Sequence, residues 1–511
     1  MKLILTFSLL LYGIISTAQS INVSLEDGLK YPVIADKTLR KGKEVFSAGT
    51  DKIEIENAGG FYSLPHSLTI RKLDASGKEI GINKLDGGAK SFGALPSQAT
   101  EFDGRILLFY VSIKDEDCKL FVSEINKNSL ELSNTVHLFS FQARKKGLIA
   151  NIQSGDRLIM LYKSADSSKM MVLVQGEKES LFSCVFERGL KIKRQKISTL
   201  KETKGLDITD IIVDNAGNSA IVFSEKKYSM MQLTYDEAKY VYFQKSDNSD
   251  RIIDVLAVGA GTAIYELRFE LTKDQSKTFA FGNYAAPMFC DGIWTAELKL
   301  GDFKFTNARK LQYPDEFKKN INKLGFGDKH KGVYGVFAIR YSLFEFGDGD
   351  VVLSGNPVLY DYKTSTSGRQ SSDWFAGPIV MAFINRKNEP VFSMIPRHQN
   401  FGNGSKAILV PYNDKLVVIY NDYEKNIKGE LQPDRVHQKG RFGLTELTLA
   451  YAIVKKDGTI ESRKLLSEGI SKKNYFNTGF RQFVTDRKLL IPTAISEKET
   501  EVPKVAVVTI D

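Results

Sequence analysis

The chain has 511 residues, 42% hydrophobic and 26% charged, with 32 Phe, 21 Tyr and only 13 Pro. That balance supports a large folded core and excludes a long disordered or low-complexity chain. Three cysteines, far apart and odd in number, exclude a disulfide framework. The formal charge of +10 comes from scattered lysines without the polybasic block that nucleic-acid binding would favour.

The N-terminus sets the expected compartment. Lys2 precedes an apolar run from Leu3 to Ile15, and Ser16-Thr17-Ala18 puts small residues three and one positions before a cut. This is the pattern of a secretory signal peptide over 1–18, leaving Gln19 at the mature N-terminus. The run is shorter than the ~20 residues that span a bilayer. No cysteine follows it for a lipid anchor, and no later segment is long and apolar enough to span. A soluble protein, periplasmic or extracellular, is expected.

Beyond the signal the chain lacks sustained helical periodicity and consists of short strand-like runs. Arg105–Val111, Arg157–Tyr162 and Lys415–Tyr420 are rich in β-branched and aromatic residues. Each follows a turn: Asp103-Gly104, Gly155-Asp156 and Asn413-Asp414. The same signal stands at Ala58–Gly60, Asp214–Gly217, Gly259–Gly261, Gly347–Gly349 and Thr485-Asp486. Tight hairpin turns need positive φ, which Gly, Asn and Asp tolerate. A second hairpin follows most of these, at Asp74–Gly77, Asn126–Asn128, Glu187–Gly189, Tyr235–Glu237, Leu300–Asp302, Asn385–Asn388 and Lys455–Gly458.

Two hairpins per repeat make a four-stranded antiparallel unit, and the first turns recur about every 61 residues. Regular four-stranded units without linkers predict an all-β fold, a β-propeller of about eight blades, with seven as the alternative count. Residues 19–511 then form one domain. The chain ends on a strand, Lys504–Ile510, that has no partner after it. A strand from the mature N-terminus, within Leu29 to Thr38, is expected to complete that sheet, so that N- and C-terminal strands pair.

The turn-then-strand units, such as Phe346–Gly355, and the Asp-x-x-Gly-Lys turn at Asp74 to Lys78 resemble the uncharacterised secreted β-propeller-like proteins of bacteria. The resemblance covers the whole mature chain. It implies an architecture and no particular chemistry. Trp-Asp strand endings, sialidase-type boxes and Kelch double glycines are absent.

No motif carries chemistry. His66, His137, His330, His398 and His437 form no His-x-x-x-His pair and none adjoins a cysteine, so neither a metal nor another cofactor is expected. No Gly-x-Ser-x-Gly elbow or Walker loop is present. Gly347–Asp350 and Ser246–Asp250 are fragments of calcium loops and read as turns. Cys118, Cys184 and Cys290 lie in or beside apolar runs and read as buried, inert thiols.

Loop length is more informative. With strands lettered A to D outward from the axis, B–C and D–A links share one face and A–B turns lie on the other. The A–B turns are short. Long links gather after residue 270, at 313–335, 355–377, 397–405 and 422–443, where binding usually resides. They carry Trp374, Arg397, His398, Asp422, Arg435, His437 and Arg441. Aromatic, guanidinium and carboxylate groups together suit a sugar or a carboxylated ligand. The plain alternative is that Trp374 pins its own loop and the arginines are solvated. Asp422 could also serve as acid or base beside His398 or His437. An exported binding module for a glycan or protein partner is the leading expectation, the partner being an acidic glycan or an envelope protein. A hydrolase or lyase acting on acidic polysaccharide and an envelope assembly scaffold are the alternatives.

Intact mass of the exported protein should show cleavage after Ala18. A retained leader, or a cut beyond Ser20, would refute the assignment.

Overall fold

The strand boundaries follow from backbone that only turn residues tolerate. Asp103 and Gly104 both adopt positive φ, 53° and 74°, and join Ala94–Phe102 to Arg105–Lys114 in a two-residue hairpin. Repetition of such hairpins in this computed structural model gives eight antiparallel units in chain order, the fourth and fifth joined edge to edge by Glu237↔Tyr265 and Ala238↔Ile264. They span 43–86, 94–142, 159–199, 207–254, 264–312, 340–395, 408–465 and 475–510. The structure describes residues 21–27, 43–58, 67–76, 78–86, 94–114, 117–142, 159–175, 180–228, 234–272, 277–285, 290–326, 339–346, 349–364, 370–385, 389–397, 399–400, 406–428, 447–466, 475–476, 478, 482–485, 487–494 and 504–510.

The first seven units run in sequence order, and the first strands of successive units, from the second to the seventh, touch one another. The strands between are apolar on both faces. Ile379–Ile384 is buried at all six positions. Such a strand needs a neighbouring sheet on each side, and successive sheets supply it. Phe139 and Phe182 stack at 4.0 Å between the second and third, and Val380 and Ala382 of the sixth share a cluster with Phe281 and Ile293 of the fifth. Seven such seams join consecutive sheets. The fold is a β-propeller of eight four-stranded blades.

The eighth blade joins the two ends of the chain. Its outer strand is Ile21–Asp27, antiparallel to Lys504–Ile510 from Ile21↔Ile510 to Asp27↔Lys504. The expected strand at 29–38 was thus placed too late, and those residues lie outside the described ones. Ile21, Val23 and Leu25 alternate with polar residues and pack on the seam with the seventh blade, which is the pattern that selects this strand.

Three turn assignments also shift. Ala58 ends a second strand, and the first turn of blade 1 is Gly49-Thr50, held by one glycine at φ 72°. Gly259–Gly261 follows a short helix, Val255–Val258, on the link into blade 5. Tyr235–Glu237 sits inside a strand, and the true turn is Lys245–Ser249, where Asp247 Oδ1 accepts from Ser249 N at 2.9 Å. Gly155-Asp156 lies outside the described residues.

The cysteines are free and buried. Burial pushes the Cys184 thiol up to about 12 and raises that of Cys290, so neither offers a thiolate nucleophile.

Val508 is fully buried opposite Val23. Val508→Ala should lower the unfolding free energy by about 2 kcal/mol. An unchanged denaturation midpoint would show that this terminal pairing does not contribute to global stability.

Candidate functional site

A–B turns and C–D turns share one face, and B–C and D–A links share the other. The long links are all of the second kind. Residues 313–339 connect blades 5 and 6 and include an amphipathic helix, Asp315–Phe326, whose Phe317 and Ile321 enter the core. The B–C link of blade 6 is no open loop. It forms a ribbon of Val358–Thr364 with Gln370–Ala376, and Gln399–Asn400 from the link into blade 7 adds a third strand. Register sets Trp374 opposite Tyr360 and Phe375 opposite both Leu359 and Asn400.

The ribbon brings the strand bearing Trp374 to the link bearing Arg397. Below it lies a buried polar footing. Arg397 and Asp422 are fully buried. Asp422 Oδ1 accepts from Asn426 Nδ2 at 2.8 Å, and Oδ2 accepts from Arg463 at 3.2 Å. Arg463 also donates to the Tyr420 hydroxyl at 3.0 Å and approaches the Pro396 carbonyl at 3.5 Å. Burial pushes the Tyr420 hydroxyl up to about 12, with Arg463 opposing. The sequence suggested Arg397 and Asp422 as ligand contacts; the structure places both in the interior, with Asp422 paired to Arg463. His398, Arg435, His437 and Arg441 lie outside the described residues. Of the five histidines only His137 is described, exposed on blade 2 with Nε2 3.1 Å from Ser140 Oγ.

A second constellation, at the inner edges of blades 4 to 6, was missed in the sequence. The first strand of blade 4 bulges at Thr209 and that of blade 5 bulges between Tyr265 and Arg268. Inside the second bulge Glu266 takes φ 53°, left-handed backbone that a non-glycine residue adopts at a cost, and its carboxylate is buried. Its Oε2 accepts from Arg340 Nε at 2.6 Å and its Oε1 from the Asp236 N–H at 3.3 Å. Arg340 NH2 donates to Asp236 Oδ2 at 3.2 Å. Arg268 bridges onward, 3.9 Å from Glu266 and 3.4 Å from Asp210. The Phe269 N–H donates to Asp210 Oδ2 at 2.6 Å.

The residues differ in access. Glu266 and Asp236 side chains are 3% and 13% exposed, whereas Arg340 is 63% exposed. Arg340 opens the first strand of blade 6 directly after a D–A link, and Asp236 follows a B–C link. Both therefore stand at the long-link face. Two carboxylates fix the guanidinium from below while it remains open to solvent. Burial raises the carboxyls of Glu266 and Asp210, the latter to about 6, with Arg340 and Arg268 respectively opposing. The signal was present in Ile264-Tyr-Glu-Leu-Arg-Phe-Glu-Leu271, where charges alternate through an apolar strand. Among the described residues no three His, Cys, Asp or Glu side chains gather to hold a metal ion.

No protein-family model matches the sequence, and no curated protein does. Among solved structures it is similar to the WD40 domain of SCAP from fission yeast, at 11% identity over 95% of this chain and 98% of that one, with a TM-score of 0.37. It is also similar to the periplasmic gluconolactonase PpgL of Pseudomonas aeruginosa, at 12% identity over 81% and 99%, with a TM-score of 0.28. The dihydro-heme d1 dehydrogenase NirN in complex with DHE gives 12% identity over 89% and 71%, with a TM-score of 0.35. Likeness this loose carries no functional argument. The propeller assignment rests on strand order and on the seams between blades.

Asp210 gives the cluster a pH signature. Its folded value near 6 lies above the ordinary 3.8, so between those values the folded state holds a proton the unfolded chain has released. Stability must then fall as pH rises through that window and level off above it. The melting temperature of the native protein relative to Asp210→Asn should decline from about pH 4 to about pH 6 and level off above. Parallel curves would place the Asp210 carboxyl at its ordinary value.

Proposed function

We propose that the protein is an exported binding module that captures an acidic glycan on its long-link face, with an envelope protein as the alternative partner. The observation that supports this reading is Arg340, solvent-exposed yet held by Glu266 and Asp236. Its NH1 makes no hydrogen bond among the described residues. A guanidinium fixed in advance loses little rotamer freedom when it grips a carboxylate, and its planar fork matches a uronate group. Trp374 on the neighbouring ribbon adds an aromatic surface for the C–H faces of a sugar. His398, Arg435, His437 and Arg441 are further contacts on this reading, and Arg397 and Asp422 hold the footing.

A second reading is cleavage of the same glycan. It is favoured by Glu266 and Asp210, buried carboxyls with raised proton affinity on facing bulges, a combination suited to an acid catalyst. Release of reducing ends or unsaturated sugars by the native protein, lost in Glu266→Gln, would establish it.

Titration with uronic-acid polysaccharides and their neutral counterparts tests the binding reading. Trp374→Ala should weaken binding by about 1–3 kcal/mol, the range for a central aromatic anchor. Arg340→Ala should weaken it more at low salt than at high, because screening then hides less of the lost attraction. Equal affinity for neutral and acidic glycans, unaltered in Arg340→Ala, would sink the proposal.

A further inference from the structure

On the short-turn face, opposite Arg340, blades 5 and 6 part to leave a cleft of about 340 Å³. That is at the lower end of the ~300–1,000 Å³ typical of ligand sites. Phe279 and Phe281 of blade 5 line one wall, and Leu343, Val351 and Leu353 of blade 6 the other. Strand register explains the opening. Phe279 pairs with Glu297 and Phe281 with Thr295, so a carboxylate and a hydroxyl share the apolar face that blade 5 turns to blade 6. Glu297 cannot pack dry against an apolar sheet, and the seam widens there.

The charges at this seam are arranged by depth. Glu297 is 19% exposed, while Lys277 and Lys299 are 51% and 45% exposed at the rim. Lys277 Nζ stands 3.5 Å from Glu297 Oε1 and Lys299 Nζ 3.7 Å from Oε2. The mouth therefore carries two cations on one anion. At the axial end Glu270 Oε2 accepts from the Leu343 N–H at 2.8 Å and spans the seam. Both lysines hold Glu297 at distances longer than a good charge-assisted hydrogen bond, so a better-placed carboxylate can compete for them.

We propose that this inter-blade cleft binds an amphipathic carboxylate, its apolar body between Phe279 and Leu343 and its head group at Lys277 and Lys299. The lining selects for that order. The walls accept an aryl or alkyl body of about a dozen heavy atoms, which gains by leaving water, and the cations lie only at the rim. The cleft opens on the other face from Arg340 and shares no lining residue with its cluster, so its occupancy does not depend on the glycan reading.

Calorimetric titration of the full exported protein with 4-phenylbutyrate, 4-phenylbutanol and 4-phenylbutylamine is the test. The acid should bind more tightly than the alcohol, and the alcohol more tightly than the amine. Lys277→Ala should weaken the acid about two- to five-fold, the scale of a partly exposed ion pair. Glu297→Gln should strengthen it by freeing both lysines. Lys277→Glu, at an exposed position that folding tolerates, should reverse the order of acid and amine. Leu343→Trp, with its fold checked by circular dichroism, should abolish binding of all three. Three results would each overturn the proposal. They are no heat from the acid, tighter binding of the amine by the native protein, and equal binding of all three that Lys277→Glu leaves unchanged.

Discussion

Strands apolar on both faces cannot have a wet side, and most of this architecture follows from that constraint. Ile379–Ile384 and Leu181–Phe186 are buried at every position. A two-layer sandwich covers one face of each sheet and leaves the other in water. Only a series in which each sheet lies between two others covers both. The ends of such a series are its weak points, because the first and last sheets each lack a neighbour along the chain. The eighth blade meets this by taking Ile21–Asp27 as its outer strand, tying the ends through backbone hydrogen bonds. With Cys118, Cys184 and Cys290 all free, that pairing is a covalent-bond-free substitute for a staple.

The same geometry explains where polar side chains can be tolerated. At the inner edges the first strands converge, and a regular strand would press its side chains into its neighbour. The first strands of blades 4 and 5 bulge at Thr209 and at Glu266. Beside these bulges the Phe269 and Asp236 N–H groups donate to Asp210 and Glu266. Three carboxylates and two guanidiniums gather there, one negative charge in excess if all are ionised. Burial raises the proton affinity of Asp210 and Glu266, and protonating one of them leaves the cluster neutral.

The repeat was legible because hairpin turns need particular residues. Asp103-Gly104, Asn413-Asp414 and Asp214–Gly217 could be placed from sequence, and each lies where expected. Gly49-Thr50 and Lys245–Ser249 were missed because turn-like runs nearby, Ala58–Gly60 and Tyr235–Glu237, drew the assignment away. The axial cluster was illegible for another reason. Asp210, Asp236, Glu266 and Arg340 come from three blades and meet only because bulges shift the register of two strands. No spacing along one strand encodes that meeting.

Residues chosen for a site by their chemistry divided along a line that composition cannot draw. Asp422 and Arg397 were singled out because carboxylates and guanidiniums in long links favour ligands. Yet links that rise from an apolar sheet must end their hydrogen-bonded ladders somewhere, and a buried ion pair such as Asp422–Arg463 does this. Asp422 and Arg463 are 0% and 6% exposed, while Arg340 in a similar ion-pair arrangement is 63% exposed. The chemistry is shared; solvent access separates footing from surface. Under the binding reading proposed above such a footing supports the site, because removing one partner would leave a buried charge uncompensated. The ribbon carrying Trp374 is held at its base by strand pairing of Phe375 and Ala376 to Gln399–Asn400. Under that reading, a ribbon tied by backbone pairing has less conformational entropy to lose on binding than an open loop of the same length.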